Sequence, residues 1–307
     1  MSVALESWPE APLEGWLETC ATLQLWSQMV GKVRLARAPF QNHWWHVPLY
    51  LTARGLTTSA IPDGGRTFQI DFDLIDHLLA ITTSDGDGEV IRLAPGTVAD
   101  FYAEFTARLR TLGLVIPIWP KPVEVATATP FPLDHSPRAY QPEVAERLFR
   151  ILAVADMALK RFCGGFLGKT SPTHFFWGSF DLAMTRFSGR RAPEHPGGIP
   201  NLADRITREA YSHEVWSAGF WPGTAGAFER PAFYAYAYPE PPGFAAAQVP
   251  LPGTYHPVLR EFLLPYDTVR AGTDPAASVE DFLASTYGAA AELGRWPRSD
   301  LERDSRA

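Results

Sequence analysis

Cysteine is almost missing from this chain. Cys20 and Cys163 are the only two among 307 residues, and neither sits in a close-spaced pair. A multi-disulfide scaffold and a thiolate zinc site are excluded. At most one bridge is open to the chain, and a reduced, cytoplasmic protein is the simpler reading. Long apolar runs are missing too: no segment approaches the roughly 18 uninterrupted apolar residues of a membrane span. The first residues place Glu6 and Glu10 among prolines and tryptophans, without the basic start and apolar stretch of an export signal. Positive charge is the scarcer sign, with 27 Lys and Arg against 34 Asp and Glu and a net charge of -7. Charges of both signs are interspersed, which leaves no broad basic face for a phosphate backbone, so no nucleic-acid partner is expected. Complete catalytic motifs are lacking as well. Gly168-Lys169-Thr170 imitates the end of a phosphate-binding loop, but Gly164-Gly165 do not supply its glycine-rich lead-in. Gly178-Ser179 and Gly189-Arg190 fall short of a hydrolase nucleophile elbow. The cofactor is therefore left unassigned.

Aromatic side chains are abundant: 13% of the chain, including ten Trp and ten Tyr, within a 46% hydrophobic whole. Each Trp and Tyr joins a large apolar area to a donor that needs a partner, which suits a ligand cavity or an interface as well as a core.

The chain also contains a repeated order. His43-Trp44-Trp45-His46 follows Gly31-Lys32 and Pro39, and His174-Phe175-Phe176-Trp177 follows Gly168-Lys169 and Pro172. Further on, Thr67-Phe68-Gln69-Ile70-Asp71 corresponds to Ala232-Phe233-Tyr234-Ala235-Tyr236, and Val98-Ala99-Asp100-Phe101 to Val279-Glu280-Asp281-Phe282. Apolar spacing predicts a helix over residues 13–30 ending near Gly31, then strands over 32–36, 44–52 and 67–74. A hairpin is predicted around Asp85-Gly86-Asp87-Gly88, a helix from Thr97 to Leu112, and a strand over 115–119. Pro142 and Glu143 open a second long helix, followed by an aromatic strand over 175–185. The expected fold is α+β, with two related antiparallel-sheet and helix halves arranged as a pseudo-twofold internal duplication. The boundaries are a first half over 1–125, a proline-rich linker over 126–142, a second half over 143–296 and a frayed charged tail over 297–307. The second half carries an insertion at about 188–213, where functional loops are often placed.

The segments Trp8-Pro9, Gly168-Lys169, His174-Phe175-Phe176-Trp177, Phe187-Ser188-Gly189-Arg190-Arg191, Ser212-His213-Glu214 and Tyr236-Ala237-Tyr238-Pro239-Glu240-Pro241 together resemble the DUF5996 family of bacterial proteins. The resemblance covers nearly the whole chain. It implies no activity, substrate, cofactor or site residue, so candidate chemistry rests on the residues themselves.

On a strand, His43 and His46 would face opposite ways. His174 and His213 could join His43, with Asp181 or Glu214 adding oxygen, but spacing does not establish convergence and no metal site is assigned. His174 or His213 is the candidate general acid/base, with Glu214 or Asp181 orienting it. Tyr234, Tyr236 and Tyr238 alternate onto one strand face, which needs a cover, and Glu240 follows. Arg186, Arg190, Arg191 and Arg205 surround the insertion and can either bind an anion or pair with Glu194, Asp204, Glu209 and Glu214. The expected pocket is formed by Trp177, Arg186, Arg190, His213, Trp216, Trp221, Tyr234, Tyr236 and Glu240, binding a small anionic or aromatic molecule. The alternatives are an enzyme using His and carboxylate chemistry and a structural or protein-interaction module. Neither membrane nor nucleic acid is an expected partner, and the chain is expected to be a monomer or a homodimer.

Overall fold

A computed structural model describes residues 7–11, 14–125 and 127–303. Leu13, the expected start of the first helix, lies outside them. That helix, α1 (Trp16–Arg37), does not stop at Gly31 but continues through the residues expected to form a strand. The indole of Trp177 packs where a Gly31 side chain would stand, 2.1 Å from an ideal β-carbon. Gly31 is thus a helix position kept small for close packing rather than a terminator. α1 is buried on nearly every side, with Trp16, Trp26, Met29 and Val33 among apolar neighbours and Thr22 and Gln28 equally enclosed. Gln28 satisfies both ends of its amide on Val123, donating to the carbonyl at 2.9 Å and accepting from the N–H at 2.8 Å.

The strand expected over 44–52 is instead entered through a 3₁₀ turn, Asn42–Trp44, and a further turn over 45–46, with His43 and Trp44 at φ 59° and 62°. Left-handed backbone at two adjacent residues cannot continue a strand. The turn is held from α1, where Arg34 Nε donates to the His46 carbonyl at 2.8 Å. Only β1 (Tyr50–Leu51) remains extended in a ladder. β2 (Gly55–Thr57), β3 (Ile61–Asp63), β4 (Arg66–Asp73), β5 (Leu78–Thr83) and β6 (Gly88–Arg92) complete an antiparallel sheet in the order β1-β2-β4-β5-β6, with β3 paired to β4. β7 (Gly96–Thr97) leads into α2 (Val98–Thr111), whose first turn is capped by the Thr97 hydroxyl accepting from Asp100 N–H at 3.0 Å. Residues 115–119 form no strand, and Val115 and Trp119 are both exposed.

β8 (Pro137–Arg138) pairs with β7, and α3 (Pro142–Cys163) comes next. β9 (His174–Phe176), β10 (Asp181–Arg191), α4 (Asp204–Ala210), β11 (His213–Trp221), β12 (Ala232–Tyr238), β13 (Thr254–His256) and β14 (Glu261–Pro265) follow. Their sheet runs β13-β14-β12-β11-β10-β9, all antiparallel. The two sheets meet where Leu49 and Phe175 exchange both backbone hydrogen bonds at 2.9 Å. α5 (Tyr266–Arg270), α6 (Pro275–Leu293) and α7 (Arg298–Leu301) close the chain. Part of the segment expected to fray folds back: Leu301 is buried, and Tyr287 donates to the Glu302 carboxylate at 2.8 Å. One apolar core runs from Ala11 to Leu301 and takes in strands of both sheets. Among the described residues no helix is long and apolar enough to cross a membrane.

Candidate functional site

Strand alternation gives the second sheet two different faces. Leu182, Met184 and Arg186 of β10, Trp216 and Phe220 of β11, and Phe233 of β12 turn toward the core. Asp181, Ala183, Thr185 and Phe187 of β10, Val215 and Ser217 of β11, and Tyr234 and Tyr236 of β12 line a cavity of about 230 Å³ on the other face. Its opposite wall comes from Leu35 of α1, the 3₁₀ turn with Trp44 and Trp45, and Ile199, Leu202, Ile206 and Tyr211 of the insertion. The insertion is pinned over the cavity by hydrogen bonds to the residues just before the expected linker. Glu124 N–H donates to the Pro200 carbonyl at 2.9 Å, and the Asn201 amide donates to the Val125 carbonyl at 3.1 Å.

Carboxyl groups are concentrated on this face. Asp181 is buried, and its two oxygens accept from the hydroxyls of Tyr234 and Ser179. Burial raises its pKa against the pull of those two donors. Glu124 enters from the residues just before the expected linker, and burial together with the Asp181 charge pushes it up to about 7. Glu261, on β14 beside the tyrosine strand, is pushed up to about 8 by the same two causes in the same order. None of the described Lys or Arg residues forms an ion pair with any of the three. The hydroxyls of Tyr211 and Tyr236 share a hydrogen bond at 2.6 Å, and those of Thr185 and Ser217 another at 3.0 Å. Burial holds Tyr211 and Tyr234 well above the usual phenol range, so both remain neutral donors.

Of the residues singled out from the sequence, His43, Asp181, Trp177, Tyr234 and Tyr236 share this cavity. Trp177 is fixed by donating to the Val47 carbonyl at 3.0 Å. His213 stands beside the cavity, its ring 5.6 Å from that of His43 and its Nδ1 3.0 Å from the Ser212 hydroxyl. His174 is walled in by Trp45, Tyr50 and Phe176, with no hydrogen-bond partner at either nitrogen. Burial presses its pKa down to about 3, and Arg34 adds to the effect.

The remaining residues lie elsewhere. Glu214 accepts from Ser188 at 2.8 Å and Arg190 at 2.6 Å, and among the described residues no carboxylate is hydrogen-bonded to either candidate histidine. Arg190 also donates to the carbonyls of Gly294 and Arg295 at the end of α6. Arg186 is buried on the core side, its guanidinium 3.8 Å from the Phe162 ring centre and 4.5 Å from that of Tyr287, with Trp216 alongside. Trp221 stacks on Phe228, and Glu240 accepts from Tyr255 at 2.7 Å. The nine residues expected to share one pocket therefore occupy several places, and no arginine lines the cavity.

Glu124, Tyr211 and the Trp44-Trp45 pair line the cavity, and Glu261 stands close enough to feel the Asp181 charge, but none of them carried a role in the sequence reading. Glu124 lies at the edge of a proline-rich stretch that offers no periodicity, and Tyr211 follows a helix of seven residues. For Glu261 a signal existed: it begins an otherwise apolar strand, where a charged side chain needs a reason. Among the described residues no group of three or more His, Cys, Asp or Glu side chains is arranged to hold a metal ion.

Comparison with curated proteins and with solved structures returned no match. The sequence profile of DUF5996, a family of unknown function, matches residues 8–303. That span takes in both sheets, the insertion and every residue of the cavity, and the chain belongs to the DUF5996 family.

Proposed function

We propose that the cavity binds a small molecule that joins an aromatic or apolar body to a protonated amine. The observation that carries this reading is the set of carboxyls gathered there without a cationic partner: Glu124 and Asp181 line the cavity and Glu261 stands on the same sheet face, all raised by burial and the two glutamates also by the Asp181 charge. Like charges gathered in a low-dielectric site are relieved by a cation placed among them. The surrounding Trp44, Trp45, Trp177, Tyr234 and Tyr236 supply apolar area and ring faces that attract a cation, the usual division of labour in a ligand pocket. The absence of arginine from the lining turns the reading from an anionic toward a cationic ligand. Residues of both halves line the cavity, so the site is not a property of the second half alone.

The experiment uses tyramine and its deaminated acid, 3-(4-hydroxyphenyl)propionate, titrated against tryptophan fluorescence. Saturable binding of tyramine, at least tenfold tighter than the acid and lost in Asp181→Asn, supports the reading. Equal affinities, or no response to either, reject it.

A second reading, acid-base catalysis, is favoured by one observation: a Glu124 pKa of about 7 suits proton transfer at neutral pH. Mass-spectrometric screening of amines for turnover, repeated with Glu124→Gln, tests it. Turnover that persists in the variant removes Glu124 from that role. We also propose the internal duplication, supported by the shared order of long helix, antiparallel meander and helix in both halves. Superposition of 13–125 on 143–295 is its test, and unrelated strand positions reject it.

A further inference from the structure

At the Phe187 end of β10 the cavity has the opposite electrostatic character. Asp181 and Phe187 lie on the same strand face six residues apart, about 20 Å at the ordinary rise of a strand. Beside Phe187 the side chains are basic. Lys169 Nζ stands 4.8 Å from the Phe187 ring centre and 5.0 Å from that of Trp45, and both rings line the cavity. The His43 ring lies 4.9 Å from Phe187 and 5.6 Å from His213, which faces Arg191 across the β10–β11 ladder. Neither Lys169 nor Arg191 takes part in an ion pair among the described residues, whereas Arg190 and Arg208 both do. Lys169 and Arg191 are exposed, so this basic group forms a rim open to solvent.

We propose that the rim of Lys169, His43, His213 and Arg191 binds an anionic group, carboxylate or phosphate, carried by the same ligand whose amine enters among Glu124, Asp181 and Glu261. The inference rests on the amine reading for the ligand's other end, and makes the ligand amphoteric, with its charges at opposite ends of an aromatic channel. Cations without partners beside a low-dielectric cavity are the usual recognition elements for such a group. The local field agrees: after burial, Lys169 is the next cause depressing His43, and Lys169 and Arg191 both depress His213. An anion bound there reverses the sign of that influence.

The test titrates inorganic phosphate, and separately acetate, into full-length protein labelled for histidine side-chain NMR, at ionic strength held constant with chloride. Saturable shifts of His43 and His213 are expected, with His256 unmoved. Affinity should fall at least tenfold in Lys169→Ala, recover in Lys169→Arg and stay unchanged in the distant Arg92→Ala. Saturation by phosphate alone identifies a phosphate, and saturation by both identifies a general anion site. Shifts that do not saturate, or that Lys169→Ala leaves intact, overturn the proposal. Neither probe carries an amine, so this result is independent of the tyramine titration.

Discussion

Gly178 lies directly under the carboxyl group of Glu124: a β-carbon built on Gly178 would stand 2.0 Å from Glu124 Oε1 and 2.8 Å from its Cδ. The glycine backbone has an ordinary negative φ, so only the space it leaves is at issue. Gly178→Ala should therefore push the Glu124 carboxyl aside without straining the turn. Loss of one charged contact is worth about 1.5–3 kcal/mol, so tyramine affinity should drop at least tenfold. Isothermal titration checks this, and an unchanged affinity would remove Glu124 from the amine site.

How far the sequence could be read depends on which physical signal each residue carried. Alternation in Tyr234-Ala235-Tyr236 announced a strand with an unusual face, and that face is one wall of the cavity. The Asp85-Gly86-Asp87-Gly88 turn announced the β5–β6 hairpin. By contrast, aromatic and branched residues at 44–52 read as a strand although Arg34 holds the chain in a tight turn there. Such a long-range contact leaves no trace in local periodicity. Gly31 read as a helix end because the sequence cannot show that Trp177 occupies the space beside it. Arg186 and Arg190 looked alike, yet one is enclosed by aromatic rings and the other caps α6. Their difference is set by which strand face and which helix end they meet.

The raised carboxyls give stability a defined pH dependence. Glu124 and Glu261 hold their protons to about 7 and about 8 in the folded chain, against an ordinary value of 4.5. Between about 4.5 and 8 the native state binds more protons than the unfolded state, so their contribution falls as pH rises. His174, depressed to about 3, acts oppositely and costs stability as pH falls below its ordinary 6.5. Comparison with Glu124→Gln separates the two. Urea midpoints should decline more steeply from pH 5.5 to 8.5 in the parent chain than in the variant. Parallel profiles would contradict the assigned shift.

Ligand affinity should run the other way. A bound amine favours ionised carboxyls, so tyramine must displace protons from Glu124 and Glu261 at low pH. Affinity is expected to rise from pH 6 to pH 8.5, with proton release seen as a buffer-dependent heat. A flat profile would show that the carboxyls do not receive the amine.

Gly31→Ala sets helix propensity against packing. Ala favours a helix interior by about 1 kcal/mol over Gly. The added carbon meets the Trp177 indole at 2.1 Å, and overpacking of this kind costs about 1–3 kcal/mol. Because Trp177 is also tied to Val47, it cannot easily withdraw, and net destabilisation by denaturant titration is expected. A more stable variant would mean that the α1 contact with Trp177 is looser than described.

Arg186 should matter to folding and not to binding. Its guanidinium is enclosed by Phe162, Phe166 and Tyr287 on the face away from the cavity. Desolvated cation–aromatic contacts are worth about 2 kcal/mol. Arg186→Met should lower the urea midpoint while leaving tyramine affinity within twofold of the parent. A selective loss of binding would return Arg186 to the site.

The most direct measurement of the central claim is a crystal structure of the chain soaked with tyramine. The account places the ligand's ring among Trp45, Trp177 and Tyr236, with its nitrogen at hydrogen-bond distance, about 3 Å, from a carboxylate oxygen of Glu124 or Asp181. A ligand whose nitrogen points to solvent or to the Lys169 rim, or a cavity left empty at saturating tyramine, would contradict it.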